Sequence, residues 1–176
     1  EHFVLCIFSG VKARSACILF FGLLFFASCT EEPSPPTPVE MILKAEEGGH
    51  FRGNTIGDNI QEVLARESTN IVHNMPDEIT CRIPLDIKKS TFYEITYNFN
   101  EQGLYVIEMD IFPKTTKDTK ELFDSFKGFY DTRYGKSTVD DGYTTWLTKS
   151  SQGTDIEISM IDKTRELQKP YLSVIF

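Results

Sequence analysis

The chain has 176 residues and 20.1 kDa, 40% of them apolar and 25% charged, which fits one compact domain with tails and excludes bulk disorder or a polytopic membrane protein. Eighteen Lys and Arg against 26 Asp and Glu leave a formal charge of −8 and a pI of about 4.9, so the chain repels phosphate backbones and no nucleic-acid partner is expected. Four cysteines are too few for a disulfide scaffold.

The first element is an uncharged apolar run from Ala16 to Ala27, with Lys12 and Arg14 before it and the small residues Ala27 and Ser28 at its end. A helical bilayer span needs about 20 apolar residues, so the run is too short to cross. A basic flank, a short apolar core and small residues in that order read as a secretory signal over residues 1–28. Val11-Lys12-Ala13-Arg14 makes an ordinary basic start if Val11 is the first translated residue, with residues 1–10 as upstream translation. The alternative is a longer basic region with its own apolar patch, Phe3 to Phe8.

Phe26-Ala27-Ser28-Cys29 resembles the lipobox of bacterial lipoproteins, an apolar residue and two small ones before a cysteine. The resemblance implies cleavage between Ser28 and Cys29, acylation of the Cys29 sulfur, and a membrane-anchored mature chain that begins at Cys29. A second acyl signal makes such anchoring stable where one chain is marginal. Thr30, in place of Asp, implies sorting to the outer membrane, and Glu31-Glu32 resembles the acidic tag of surface-exposed lipoproteins. The periplasmic side and the cell surface both stay open.

Residues 29–40 hold Pro33, Pro35, Pro36 and Pro38 and read as a semi-rigid, extended tether, with the folded domain over 41–176. Once Cys6 and Cys17 leave with the signal and Cys29 is acylated, Cys81 is the remaining thiol. It lies on the apolar side of Ile79-Cys81-Ile83-Leu85-Ile87, as a buried small hydrophobe.

Asp58 is positioned to cap a short helix with Ile60, Val63 and Leu64 on one face and Gln61 in a capping box. Three strands with period-2 alternation follow. They are Ile79 to Ile87, a second with Tyr93, Ile95, Tyr97 and Phe99 on one side, and a third with Tyr105, Ile107, Met109 and Ile111 on one side. Asn100-Glu101-Gln102-Gly103 turns the second into the third, and Pro113 ends it. A longer helix, Lys117 to Tyr134, carries Leu122, Phe126, Phe129 and Tyr130 as its stripe, with Gly135 after it. Tyr143 to Thr148, Asp155 to Ile161 and Tyr171 to Phe176 make three more strands, turned at Asp140-Asp141-Gly142 and Ser150-Ser151-Gln152-Gly153. The expected fold is α+β, an antiparallel sheet of about six strands with two main helices on one face, in the order α-βββ-α-βββ.

Gly57-Asp58-Asn59-Ile60-Gln61-Glu62-Val63 before a meander, and a later helix ending Arg133-Tyr134-Gly135-Lys136, resemble the β-lactamase-inhibitor-like group and the small envelope lipoproteins of the SmpA/OmlA type. That resemblance implies the same helix-and-meander architecture. Glu67-Ser68-Thr69 stands where the SmpA/OmlA type usually carries Gly-x-Pro.

No catalytic constellation is visible, and the expectation is a protein that is not an enzyme and uses no cofactor. His50 and His73 each stand without a second histidine three or four residues away, so no metal site is expected. His50 reads as an exposed loop residue and His73 as a loop or helix end. The glycines at 48, 49, 53 and 57 lack the Gly-Lys-Ser/Thr of a phosphate-binding loop, and Asp140-Asp141-Gly142 suits a hairpin, not a calcium loop.

The sheet face turned away from the helices is the candidate partner-binding surface. Alternation places Phe92, Glu94, Thr96, Val106, Glu108, Asp110, Trp146, Glu157 and Ser159 there. Aromatic residues set among carboxylates suit a hot spot for a basic protein partner. The expected function is a lipid-anchored, non-catalytic protein-binding module of the cell envelope. The alternative is a periplasmic or surface inhibitor or immunity protein directed at a hydrolase.

Overall fold

The computed structural model describes residues 37–85, 91–150 and 153–176. The signal, the Ser28/Cys29 junction, the tether up to Pro36 and Ile87 lie outside the described residues.

The fold begins earlier than residue 41. Pro38–Leu43 forms helix α1, capped by Thr37, whose hydroxyl accepts from the Glu40 N–H while the Glu40 carboxylate accepts from the Thr37 N–H. Pro38 sits in the first turn, where its missing N–H costs nothing. Val39, Ile42 and Leu43 are buried, so residues 38–40 are part of the domain and not of an extended spacer.

Helix α2 spans Ile60–Glu67, and its cap is one residue later than expected. Asn59 accepts from the Gln61 and Glu62 amides, and Glu62 closes the capping box. Asp58 is occupied elsewhere: it accepts from the Thr55 N–H at 2.9 Å and from Arg66 at 2.5 Å. Val63 is in the core, with Ile60 and Leu64 half-buried beside it.

Four antiparallel strands follow as a meander, β1 (Ile71–Asn74), β2 (Glu78–Pro84), β3 (Phe92–Asn100) and β4 (Gly103–Phe112). Helix α3 (Thr116–Tyr134) then crosses to a second four-strand meander, β5 (Thr138–Asp140), β6 (Tyr143–Lys149), β7 (Asp155–Asp162) and β8 (Leu172–Ile175), with the short helix α4 (Thr164–Leu167) between the last two. The final strands of the two meanders, β4 and β8, lie side by side, giving one eight-stranded antiparallel sheet in the order β1-β2-β3-β4-β8-β7-β6-β5.

The α+β class and the single antiparallel sheet agree with expectation, but the six strands and two helices expected were too coarse: the sheet is larger by the edge strands β1 and β5, and the described residues form four α-helices, with α1 and α4 added. Both edge strands are only three or four residues long and mostly exposed, so neither shows an alternation that sequence could register. His73 is accordingly an exposed residue of an edge strand.

α1, α2 and α3 share one core with a single face of the sheet, including Tyr97, Ile107, Met109, Ile158 and Val174. Cys81 is wholly buried in that core, and burial pushes its thiol up to about 12. Strand β4 departs from simple alternation. A bulge pairs Asn98 with Val106 but Phe99 with Leu104, leaving Tyr105 as the extra residue. Leu104 therefore faces the core, and Tyr105 is half exposed instead of aligning with Ile107 and Met109.

The turns follow their residues. Asp141 and Gly142 have φ of +46° and +83°, the pair of left-handed residues that a two-residue hairpin requires. Gly103 has φ of +107°, and a Cβ there would lie 2.5 Å from the Gly57 carbonyl oxygen. That close approach lets Gly57 N–H and Leu104 N–H bond across to the Leu104 and Asp58 carbonyls, so the 48–57 loop is sewn to the β3–β4 hairpin.

Candidate functional site

The sheet face opposite the helices carries no packed element of the described chain among its strands. Phe92 and Glu94 reach it from β3, Val106, Glu108 and Asp110 from β4, and Glu157 from β7, as alternation predicts. Cross-strand register brings them together: Glu94 opposes Asp110, Thr96 opposes Glu108, and Glu108 opposes Ile175 of β8.

Trp146 does not belong to this face. It pairs with Ile158, in the set Thr144-Trp146-Thr148 that faces Met160, Ile158 and Ile156. It is 2% exposed, and its ring lies 5.1 Å from that of Tyr130 on α3. The indole N–H is satisfied there by Asp131 at 2.9 Å, which removes the cost of burying it. Bonds from Lys127, Trp146 and the Ser137 amide hold the Asp131 carboxyl down at about 2. The residues of β6 that do face outward with Glu157 and Ser159 are Leu147 and Thr145.

The open face has two regions. At one end Phe92, Phe112 and Tyr171 form an aromatic row, with ring centroids 4.8 Å and 5.5 Å apart. The Arg82 guanidinium lies 5.0 Å over Phe92 and the Lys169 ammonium 5.4 Å over Phe112. At the other end an open concavity of about 550 Å³ is lined by Tyr143, Thr145, Leu147, Glu157, Ser159 and Ile175 among others. Leu147 is 72% exposed within it.

The carboxylates differ in how they are held. Glu94 is paired with Arg82 at 2.5 Å. Asp110 accepts from the Tyr171 phenol at 2.6 Å and from the Ser173 hydroxyl at 2.8 Å. Burial and that bond to Asp110 push the Tyr171 phenol well above its usual range. Glu157 accepts from Ser159 at 2.7 Å. Glu108 is exposed and forms no ion pair or hydrogen bond among the described residues. Like charges directly opposite on a sheet, as Glu94 and Asp110 are, cost free energy unless each has its own partner.

Phe112, Tyr171, Arg82 and Leu147 were not singled out by sequence. Phe112 continues the Val106–Glu108–Asp110 alternation and Tyr171 that of Ser173 and Ile175, so the signal existed at the strand ends.

A second polar cluster lies inside the helix-covered side. Arg52, in the left-handed region at φ +52°, donates through two nitrogens to Glu67 at 2.7 and 3.1 Å. It also donates to the Ile42 carbonyl and the Tyr93 hydroxyl, and Tyr97 donates to Glu67 at 2.7 Å. Arg52 and Glu67 are both buried, so this is a structural clasp joining α1, the 48–57 loop, α2 and β3. His50, expected to be exposed, is half-buried and accepts the Ile56 N–H at 3.1 Å. Burial lowers its pKa, against a raising effect of Asp58 and with a further lowering by Arg133. Among the described residues no three of His, Cys, Asp and Glu converge into a metal-holding group.

No protein family, curated protein or solved structure matches this chain.

Proposed function

We propose that this chain is a lipid-anchored, non-catalytic module of the bacterial outer membrane that binds a basic protein partner on its open sheet face. The anchor rests on the lipobox-like Phe26-Ala27-Ser28-Cys29 behind its basic and apolar flank. One observation carries the binding role: an uncovered antiparallel face on which Glu94, Glu108, Asp110 and Glu157 stand among Phe92, Phe112, Tyr171 and Leu147. Apolar contact area interspersed with carboxylates suits a partner that presents basic side chains beside an apolar anchor.

A photo-crosslinking residue at Glu108 or Leu147, against a control at Lys120 on α3, identifies the partner in intact cells. The purified pair is then titrated with wild type and with Glu108→Lys/Glu157→Lys. Affinity is expected to fall about tenfold or more and to lose most of its salt dependence. Equal crosslinking from Lys120, or unchanged affinity after charge reversal, would overturn the binding role. For the anchor, the intact mass of the full chain expressed in a Gram-negative host is expected to show Cys29 with acyl chains, lost in Cys29→Ala. An unacylated product cut elsewhere refutes it.

A further inference from the structure

We infer that the protein partner enters as an extended segment that adds a strand beside the open half of β6, with an Arg or Lys placed opposite Leu147. The inference rests on the binding role proposed above and names the form the partner takes at this edge of the sheet.

β5 covers β6 only in part. Their register ends at the pair Thr138–Thr145, so Tyr143, Thr144 and Thr145 have a neighbour on that side, and Trp146 to Lys149 have none among the described residues. The Ser137 N–H donates to the Asp131 carboxylate at 3.1 Å, which ties the chain to α3 where it would otherwise continue along β6. In an antiparallel ladder the N–H and C=O of one residue point to the same neighbouring strand, and successive residues alternate. The Ser150 N–H bonds the Thr154 carbonyl across the β6–β7 hairpin, whereas the Thr145 carbonyl accepts from the Thr138 hydroxyl on the other side. The even-numbered residues of β6 therefore bond β7, and the N–H and C=O of Leu147 and Lys149 point to the empty position in line with β5. They offer a ready template for another strand.

The position has room. A crevice of about 320 Å³ opens beside Thr148 and Lys149, bounded by the 49–55 loop and the end of α3. The Lys149 ammonium pairs with Asp155 of β7, on the opposite side of β6 from the open edge. Leu147 is uncovered, at 72% exposure.

Charge selects the side chain. Glu157 lies directly across from Leu147 on β7, and its one described partner is the neutral Ser159 hydroxyl. With strands about 4.8 Å apart, a residue of the added strand opposite Leu147 stands about 10 Å from Glu157. A long basic side chain spans that distance, laying its methylenes over Leu147 and its charge at Glu157. Asp140, Asp141 and Glu157 line the concavity around Leu147, and no Lys or Arg does among the described residues, so an acidic segment is repelled.

The test is amide exchange by NMR on the purified full chain, with the capped pentapeptide Arg-Val-Arg-Val-Arg as the probe. Alternation puts its arginines on one face in either register. In the free protein the Leu147 and Lys149 amides are expected to exchange at least tenfold faster than those of Trp146 and Thr148, and saturating peptide is expected to slow both at least tenfold. The same peptide N-methylated at its arginine amides, equal in charge, and Glu-Val-Glu-Val-Glu should leave them unchanged. Lys149→Pro removes an edge N–H that bonds nothing within the sheet, and it should weaken the peptide about tenfold. Lys149→Ala should stay close to wild type, with the near-ultraviolet signal of Trp146 the same in both variants. Slow exchange of Leu147 and Lys149 in the free chain, no slowing with the peptide, or equal slowing by the N-methylated peptide would overturn the inference. A partner crosslinked at Glu108 that loses affinity in Glu108→Lys/Glu157→Lys but not in Lys149→Pro would overturn strand addition and leave the binding role of the face standing.

Discussion

Replacing Glu67 by Gln tests the interior clasp most directly. Glu67 accepts two bonds from Arg52 and one from Tyr97, and it is 2% exposed while Arg52 is 4% exposed. The amide keeps the shape but turns an NH₂ toward a guanidinium and leaves that cation buried without a counter-charge. Breaking a buried pair from one side costs about 3–5 kcal/mol, a large share of a total near 5–15 kcal/mol. With a urea slope of about 2 kcal/mol/M, the unfolding midpoint is expected to fall by about 2 M, followed by fluorescence of the single buried Trp146. Arg52→Met should cost a similar amount. The double variant Arg52→Met/Glu67→Leu removes both charges at once and should recover most of the loss, because paired burial adds little net stability. Recovery stays incomplete, since Tyr97 then keeps only the Asn54 amide, at 3.3 Å, as a partner. Single variants that cost under about 1 kcal/mol, or a double variant equal to the sum of the singles, would refute the clasp.

The other expectations concern packing, pH and reactivity. Gly103→Ala places a Cβ 2.5 Å from backbone, whereas Gly48→Ala at φ +75° meets nothing within 4 Å; thermal melts should show the first clearly more destabilised although both glycines are left-handed. Asp131 has a depressed native pKa, so its contribution to stability is present above the unfolded carboxyl value of about 4 and lost as pH falls through about 2; urea midpoints of wild type and Asp131→Asn should converge over that interval and separate above it. Cys81, wholly buried with its thiol pushed up to about 12, should resist alkylation in the native state and react once guanidinium unfolds the chain, read by peptide mass mapping. Rapid native labelling of Cys81 would contradict its placement.

The long periodic segments were legible because their side chains repeat over enough residues to exclude the other period. β3 alternates through all nine residues, and α3 carries Phe126 and Tyr130 at helical spacing from a clear capping box at Thr115 and Asp118. Legibility failed where a single event decided the outcome. One extra residue in the β4 bulge turned Tyr105 outward, and the choice between Asp58 and Asn59 as cap was settled by Arg66, eight residues away from Asp58. Trp146 was assigned to the wrong face because Tyr143, Thr144 and Thr145 give no polarity by which to orient β6. The partner across the sheet, Ile158, and the acceptor on α3, Asp131, settle it, and both are non-local. The clasp around Arg52 was hidden for the same reason: a charged residue between glycines looks solvated until Glu67 and the Tyr93 hydroxyl converge on it, with the Tyr97 hydroxyl donating to Glu67 in turn.

The open face also ranks its own carboxylates as partner contacts. A basic side chain that approaches Glu94 must compete with Arg82, and one that approaches Asp110 meets an oxygen already bonded by Tyr171 and Ser173. Glu157 gives up less, since its one described partner is the neutral Ser159 hydroxyl. Glu108 gives up nothing but water, and it stands between the aromatic row and the Leu147 concavity, beside Ile175. An ion pair formed there exchanges no existing bond and gains from apolar neighbours that exclude solvent once covered. On the proposed function, Glu108→Gln should therefore weaken the partner more than Glu94→Gln, although Glu94 is the less exposed of the two. The reverse order, measured on the same purified pair, would shift the contact centre to the aromatic end of the sheet, where Arg82 and Lys169 would favour an acidic partner instead.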